Sequence, residues 1–257
     1  MTKGIGKLFT FIALCGSFAA ASHVDQANEQ SGSARLRMLK PPANGVINVA
    51  FIFSDQTAMI DLAGPWEVFS DTMLAHDGGP WRGGDDMIMP FNLYTVSDSQ
   101  KPISAAGLQV IPNYTFDNAP KPQVILIPAQ GGRSEAQKNW LLENAKTADL
   151  TMSVCTGASM LAAYGFLDHQ RATTHHLFVD NMQKKYPAVH FVSGLRYVDN
   201  DKIATAGGLS SGIDLALHVV ERYYGREIAQ ATADYMEYKG ELWKSPQYGE
   251  VKPISGL

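Results

Sequence analysis

Residues 151–165 read TMSVCTGASMLAAYG, and this stretch decides the fold. Its first residues, up to Val154, are typical of a short buried strand that leads directly into Cys155. From Thr156 the chain is rich in Ala, Met and Leu until Gly165, which predicts a helix that stops at a glycine. A cysteine at such a turn projects from the carboxyl end of the sheet, where α/β folds place their functional sites.

Strands and helices alternate on both sides of this turn. Apolar runs predict buried strands at residues 46–53 and 124–127, and further strands are predicted at residues 92–96, 108–111 and 203–205. The proline, serine and glycine signals predict helices from Pro65, from the Ser134 and Gln137 capping box to about Lys146, and from Ser210 or Ser211 to Gly225 and on to about Tyr238. Such alternation predicts a mainly parallel sheet that is wrapped by helices.

Composition and charge exclude several classes of protein. The 257 residues are 45% hydrophobic and 18% charged, which is the balance of a globular protein and not of a disordered chain. Lys and Arg number 21 against 25 Asp and Glu, so the net charge of −4 argues against a nucleic-acid partner. Two cysteines are too few for a disulfide framework or a cysteine zinc site. We therefore expect chemistry that depends on a few side chains, with no metal and no cofactor.

The N-terminus resembles a secretory signal peptide. Residues 1–21 combine a short cationic region, a mostly apolar run over 8–18 and three alanines at 19–21. The alternative is a short membrane anchor, although the apolar run falls below the ~20 residues of a spanning helix. Residues 22–44 are polar and predict a linker, and residues 45–257 predict a single domain. We therefore expect a periplasmic or secreted protein that is free of the membrane after cleavage.

Cys155 is the candidate nucleophile. Helix N-termini favour negative charge, so a helix that starts at this turn should lower the pKa of the thiol. Gly157 lets the backbone pack closely, as at the nucleophile elbow of serine hydrolases. The backbone N–H groups of Gly131 and Gly132, with that of Thr156, predict a pocket that resembles an oxyanion hole. The alternative is an inert core cysteine beside an ordinary glycine turn.

Three further side chains are candidate partners of the thiol. His175 is a candidate proton carrier, and the alternative for it and for His176 is a surface or core position near a helix start. Adjacent histidines point apart and have no third ligand nearby in sequence, so a metal site is not expected. Asp61 lies just ahead of a Gly-Pro pair and is a candidate general acid/base or hydrogen-bond partner of the thiolate. The alternative for Asp61 is a helix cap.

Five segments together resemble the ThiJ/PfpI superfamily, whose members are relatives of the class I glutamine amidotransferase domains. The segments are DLAGPWEVF (61–69), SVCTGA (153–158), GFLD (165–168), RATTHH (171–176) and GGLSSGIDLALHVVE (207–221). They cover most of residues 46–240. The resemblance implies a flavodoxin-like, three-layer α/β sandwich with the cysteine at a nucleophile elbow, usually assembled as a homodimer.

Two of these segments, Asp-x-x-Gly-Pro and Cys-Thr-Gly, are similar to the branch that holds isonitrile hydratase and the sensing domains of certain AraC-type regulators. The resemblance implies that Cys155 is the nucleophile, Asp61 its acidic partner and Thr156 a substrate-positioning hydroxyl. His175 matches the histidine of the superfamily's Thr-Thr-His segment. Protease-like members have histidine at the position of Thr156, which argues against a protease. Many relatives in this branch have Trp at the position of His176, which implies a different pocket wall.

The function implied by the resemblance is that of a cysteine-dependent, cofactor-free enzyme. It would add water to a small isocyanide and release an N-substituted formamide. Gly131, Gly132, Gly157 and His176 are the residues expected to bind this small-molecule substrate. Two alternatives use the same nucleophile, namely hydrolysis of a small amide and processing of a glyoxal. A third is a non-catalytic module that binds a ligand or senses redox state through Cys155.

Overall fold

A computed structural model describes residues 37–245 of the chain. The strands are β1 (Ile47–Ile52), β2 (Phe91–Ser97), β3 (Ile103–Ala105), β4 (Leu108–Val110), β5 (Tyr114–Thr115), β6 (Val124–Ile127), β7 (Leu150–Val154), β8 (Arg171–Ala172), β9 (His190–Phe191), β10 (Tyr197–Asp199) and β11 (Ile203–Ala206). The helices are α1 (Met59–Ser70), α2 (Glu135–Asn144), α3 (Ala158–Ala163), α4 (Val179–Lys185), α5 (Ser211–Tyr224) and α6 (Arg226–Tyr235). No helix within these described residues is long and apolar enough to cross a membrane.

Seven strands form one sheet in the order β10-β11-β7-β6-β1-β2-β5. All neighbouring pairs are parallel except β10 with β11, which is antiparallel. The residues of β6, β7 and β11 are all buried, as expected of inner strands of a parallel sheet. The sequence of β6 is a continuous apolar run, whereas β7 and β11 also bury Thr151, Ser153 and Thr205. The predicted mainly parallel sheet is therefore confirmed.

Each face of the sheet has its own hydrophobic core. Along β1, Val49 and Phe51 belong to the core that contains the apolar residues of α5 and α6, whereas Ala50 and Ile52 belong to the core that includes α3. This alternation follows from the two-residue period of a strand, which sends successive side chains to opposite faces. Helices therefore cover both faces, and the predicted three-layer α/β sandwich is confirmed.

Helix α1 begins six residues earlier than the sequence predicts, at Met59 instead of Pro65. The proline removes the hydrogen bond that residue 65 would donate one turn back, and its ring crowds the carbonyl group there. Packing offsets this loss, because the Pro65 ring lies against Gly212 of α5, where a Cβ would be only 3.0 Å from the proline Cγ. As a consequence Asp61 lies in the first turn of α1, not in a preceding loop, and Ala58 is the N-cap.

The helix after Cys155 is shorter than the sequence predicts. A 3₁₀ turn spans Cys155–Gly157, and α3 then covers only six residues. Elsewhere the predicted helix caps are accurate. The Ser134 hydroxyl accepts the N–H of Gln137 at 3.0 Å at the start of α2, and Gly225 ends α5 with a φ of 86°. Helix α6 ends at Tyr235, three residues before the predicted end.

The end of the predicted linker is part of the folded unit. Leu39 is 2% exposed, and its N–H donates to the carbonyl of Arg222 at 2.8 Å. The Arg37 guanidinium donates to Asp201 and to the carbonyl of Asp149. The linker prediction is therefore wrong for these residues, since their contacts reach both α5 and the strand ends. The predicted signal peptide at residues 1–21 lies outside the described residues.

Candidate functional site

Cys155 stands at the sharp turn that the sequence predicts. It follows the last residue of β7 with a φ of 58°, a left-handed conformation that is strained for a residue with a side chain. Two hydrogen bonds of 2.9 Å hold the turn: the Cys155 N–H donates to the Gly207 carbonyl, and the Thr174 hydroxyl donates to the Cys155 carbonyl. A Cβ at residue 157 would collide with the Ile127 carbonyl oxygen, so only glycine fits there. The predicted nucleophile elbow is present, and Gly157 serves it through backbone packing.

Asp61 reaches the same point from α1 and is fully buried. Its Oδ2 accepts the backbone N–H of Ala129 at 3.0 Å, which ties the carboxylate to the end of β6. Burial raises the pKa of Asp61 to about 6, against the opposing influence of the Ala129 N–H, the Cys155 thiol and the Leu209 N–H. Within residues 37–245, Oδ1 has no hydrogen bond of standard geometry. This oxygen is therefore available to accept a proton.

The predicted low pKa of the thiol is wrong. Burial, and then the charge of Asp61, raises the pKa of Cys155 to about 11. Cys155 is only 7% exposed. The six-residue helix after it is too short for its N-terminus to offset the rise in the thiol pKa. At neutral pH the pair therefore consists of a protonated thiol and a carboxylate, which acts as a built-in base for the thiol.

Three donors face the sulfur and stabilise negative charge there. They are the backbone N–H and the hydroxyl of Thr156 and the backbone N–H of Leu209, and each lowers the pKa of Cys155. Thr156 was expected from the sequence, but Leu209 was not. Its N–H is presented by a turn in which Leu209 itself has a φ of 52°. The glycine pair at 207–208 is the only sequence signal that points to this turn.

The first glycine of the pair after β6 does not supply the predicted donor. The N–H of Gly131 donates to the Asp55 carbonyl at 2.8 Å and is therefore not free to stabilise an anion. Gly132 has a φ of 60° and turns the chain beside Ser54. The contribution of this loop to the site is the N–H of Ala129, which binds Asp61 and not the sulfur. The predicted role of Gly131 in a donor pocket is wrong for this reason.

The two histidines lie on the wall of an adjoining cavity. The His175 ring packs against Gly208, stacks on His176 with 4.5 Å between ring centroids, and accepts the Leu177 N–H through Nδ1 at 3.3 Å. Within the described part of the chain, no hydrogen bond joins His175 to Cys155 or Asp61. The structure thus joins Cys155, Asp61 and Thr156 and leaves the histidines beside them.

The cavity measures about 310 Å³ and adjoins the elbow. Three segments line it, namely residues 173–176, 193–196 and 207–211. Two of them also touch the elbow, through the Thr174 hydroxyl and the Leu209 N–H. Within residues 37–245 no three His, Cys, Asp or Glu side chains are grouped so as to hold a metal ion.

Several proteins are similar to this chain in sequence. The chain is 28% identical over 198 residues to the isonitrile hydratase of Pseudomonas putida, covering 75% of this chain and 78% of that protein. It is 28% identical over 154 residues to the HTH-type transcriptional regulator GbdR of Pseudomonas aeruginosa, covering 58% of this chain and 42% of the regulator.

Solved structures share the fold. A ThiJ/PfpI family protein from Pseudomonas syringae matches with a TM-score of 0.64 at 20% identity, over 86% of this chain and 84% of that chain. Drosophila melanogaster DJ-1beta matches with a TM-score of 0.63 at 13% identity, over 76% of this chain and all of its own (100%). The sequence profile of the DJ-1/PfpI family matches residues 47–222, which is more than half of the chain. This protein therefore belongs to the DJ-1/PfpI family.

Proposed function

We propose that this protein is a cysteine-dependent enzyme that adds water to an isocyanide and releases an N-substituted formamide. The observation that carries the proposal is the buried pair of Cys155 and Asp61, in which a carboxylate with a pKa of about 6 faces a protonated thiol. The similarity to isonitrile hydratase supports the choice of substrate class. No step of this chemistry needs a cofactor.

The first half of the reaction forms a covalent adduct. As the Cys155 sulfur attacks the isocyanide carbon, Asp61 accepts the thiol proton and passes it to that same carbon. A carbon–sulfur bond and a carbon–hydrogen bond form, and the product is a thioimidate. The Thr156 and Leu209 N–H groups, which already face the sulfur, stabilise the negative charge that develops there.

The second half releases the product. Asp61, ionised again, takes a proton from water as the water oxygen attacks the thioimidate carbon, and passes this proton to the imine nitrogen. The tetrahedral intermediate then expels the Cys155 thiolate as Asp61 takes the remaining hydroxyl proton, which leaves the formamide carbonyl, and Asp61 returns this proton to the sulfur. The balance is one isocyanide plus one water to one formamide. A carboxyl pKa of about 6 suits this role, because the group can both accept and donate a proton near neutral pH.

A screen of the purified protein tests the proposal. Isocyanides, glyoxals and short amides are offered separately, and Cys155→Ala serves as the blank. We expect formamide from isocyanides with the wild type and none above background with the variant. Turnover of a glyoxal or an amide alone would replace the proposed reaction by another of the same nucleophile.

A second candidate is a ligand-binding module without turnover, which the similarity to regulators supports. The two functions respond differently to loss of the thiol. A binding module keeps its ligand affinity in Cys155→Ala, whereas an enzyme of the proposed kind loses its activity. Ligand binding that survives in a protein with no turnover of any test compound would favour the module.

We further propose that the protein is exported and acts as a homodimer. Export rests on the signal-like residues 1–21, and the dimer rests on the family resemblance. N-terminal sequencing of protein from a periplasmic fraction should begin at or near Ser22. An intact Met1 on folded, active protein would contradict export, and a monomeric mass in solution would contradict the dimer.

A further inference from the structure

A fixed arginine lines the cavity beside the elbow. Arg196 holds its Nε 2.5 Å from Oδ2 of Asp214, and its Nη2 donates to the Ser210 hydroxyl at 3.2 Å. The Asp214 side chain is 1% exposed, whereas that of Arg196 is 28% exposed. A buried carboxylate therefore orients a guanidinium whose outer part remains accessible from the cavity.

The Arg196 guanidinium has N–H groups that make no hydrogen bond within the described residues. It carries five N–H groups, of which Asp214 and Ser210 each take one. The Tyr238 hydroxyl, which donates to Asp214 at 3.1 Å, also interacts with Arg196. Even when one N–H is assigned to Tyr238, two have no partner among the described residues. A planar pair of N–H donors in fixed orientation is the arrangement that binds carboxylates.

The side chains that line the cavity include Arg196 and no carboxylate. The residues that line it are Thr173, Thr174, His175, His176, Ser193, Gly194, Leu195, Arg196, Gly207, Gly208, Leu209, Ser210 and Ser211, and none of them is acidic. Two carboxylates outside this lining contact residues of the site, Asp214 as the partner of Arg196 and Asp61 as the partner of Cys155. A volume of about 310 Å³ lies at the small end of ligand pockets.

The geometry points to a substrate that carries a carboxylate, bound by Arg196, with its electrophilic carbon directed at Cys155. This inference rests on the proposed function for the identity of the electrophile. Under that function the simplest substrate of the class is isocyanoacetate, and its product is N-formylglycine. The carboxylate subsite itself can be tested without any turnover.

Two alkylating reagents of nearly equal size test the subsite. Iodoacetate carries a carboxylate and iodoacetamide a neutral amide, and both reagents alkylate thiols. We expect Arg196→Gln to lower the ratio of the iodoacetate rate to the iodoacetamide rate by about 10-fold or more, the worth of a charge-assisted hydrogen bond. Arg196→Lys keeps the positive charge but not the planar pair of N–H donors, so it should lower this ratio by a smaller factor. Arg82→Gln, an exposed arginine outside this cavity, removes the same charge and should leave the ratio unchanged.

Two further measurements keep the test decisive. Because Arg196→Gln leaves Asp214 buried without its cation, the double variant with Asp214→Asn repeats the assay in a neutral background. Binding of N-formylglycine and of its amide is measured in parallel. We expect the wild type to prefer the carboxylate and the Arg196 variants to lose that preference.

The outcomes separate this inference from the proposed function. An equal ratio in the wild type and all Arg196 variants, or no preference for N-formylglycine over its amide, would overturn the carboxylate subsite. Failure to hydrate any isocyanide while the Arg196-dependent preference persists would overturn the proposed reaction and leave the subsite standing. Hydration of neutral isocyanides but not of isocyanoacetate would overturn the carboxylate subsite and leave the proposed reaction standing.

Discussion

Asp61 and Cys155 share a single negative charge in a buried place. The pKa of Asp61 is about 6 and that of Cys155 is about 11, so between these values the carboxylate is ionised and the thiol keeps its proton. Ionisation of both is disfavoured because the charge of Asp61 raises the pKa of the thiol. The thiolate therefore forms only when Asp61 takes the proton, which links activation of the nucleophile to the approach of a substrate.

Replacing Asp61 by asparagine should keep the packing of the site and remove its proton acceptor. The amide oxygen of Asp61→Asn can still accept the Ala129 N–H, but the base is lost. We expect turnover to fall by about 10²–10⁴-fold. The apparent pKa of the thiol, read from alkylation rate against pH, should fall because the neighbouring charge is gone.

His175→Gln is the matched variant on the other side of the elbow. Because His175 makes no hydrogen bond to Cys155 or Asp61, we expect a smaller loss of turnover and little change in the alkylation profile. The reverse order of the two effects would mean that the histidine is the working base. Small and equal effects would mean that neither residue transfers the proton.

The pH dependence of kcat/KM follows from the same pair. Asp61 must be ionised to accept the proton, so kcat/KM should fall as the pH is lowered through about 6. It should stay level up to about pH 9, since the pKa of Cys155 is about 11. A rate that rises between pH 7 and 9 would instead indicate a thiolate formed before the substrate binds.

The raised pKa of Asp61 also predicts a stability that depends on pH. In the folded state Asp61 keeps its proton up to about pH 6, well above the ordinary value of 3.8, so its contribution to stability is lost as the pH rises through about 6. The rise in pKa corresponds to about 3 kcal/mol. Asp61→Asn should therefore gain up to this amount over the wild type between pH 4 and pH 8.

Urea unfolding at both pH values measures this gain, with the exposed residue in Asp117→Asn as the control for loss of one surface charge. A difference between Asp61→Asn and wild type that does not change with pH would contradict the raised pKa.

The sequence predicts the identities at this site better than their chemical state. Cys155, Asp61 and Thr156 are found from short motifs, because each motif is a local feature. The direction of the thiol pKa is not local, since it depends on burial and on a carboxylate that arrives from α1. The N–H of Leu209 is missed because any residue type has this donor, and only the conformation of the backbone aims it.

At the scale of the elements, the elbow depends on close backbone contact between β6 and the turn after β7. A Cβ at residue 157 would collide with the Ile127 carbonyl oxygen and lie 2.9 Å from that of Pro128, and neither can move without distorting the sheet. We expect Gly157→Ala to destabilise the protein by about 1–3 kcal/mol or more, as measured by thermal or urea unfolding. It should also lower the alkylation rate of Cys155.

Gly79→Ala provides the comparison for this substitution. The Cβ added there would meet only the side chain of Asp77, at 3.2 Å from its Oδ1, on an exposed loop. We expect a change within about 0.5 kcal/mol. Equal stability of the two variants would show that the elbow can relax.

Elements whose signal is local are predicted well, and those that depend on partners are not. The buried strands β1 and β6 follow from apolar runs, and the start of α2 follows from its serine cap. Helix α1 starts early because packing of Pro65 on α5 outweighs the preference of proline for a first turn. Strand β10 is only three residues long, and its antiparallel pairing with β11 is a long-range property.

At the scale of the whole molecule, the sheet has a reactive end and a structural end. Cys155 follows the carboxyl end of β7, whereas Asp199 lies level with Ala204, near the start of β11 and the amino end of β7. Asp199 is fully buried and binds the Arg222 guanidinium at 2.9 Å and the His218 ring at 3.0 Å. The same arginine donates to the carbonyl of Arg37, so this cluster also holds the start of the described chain.

This separation predicts a variant that weakens the fold and spares the site. Asp199→Asn removes one of the two carboxylates that pair with the buried Arg222 and leaves Asp201, at 2.7 Å, as the remaining one. We expect a loss of about 1.5–3 kcal/mol in unfolding free energy, the worth of a hydrogen bond to a charged group. At temperatures where the variant is still folded, the alkylation profile of Cys155 and the turnover should match the wild type, since no contact of Asp199 reaches the elbow. Arg37→Gln removes the more exposed ion pair beside this cluster, that of Arg37 with Asp201, and should lower the unfolding free energy much less. Loss of turnover in folded Asp199→Asn, in proportion to its loss of stability, would show that the two ends of the sheet are coupled.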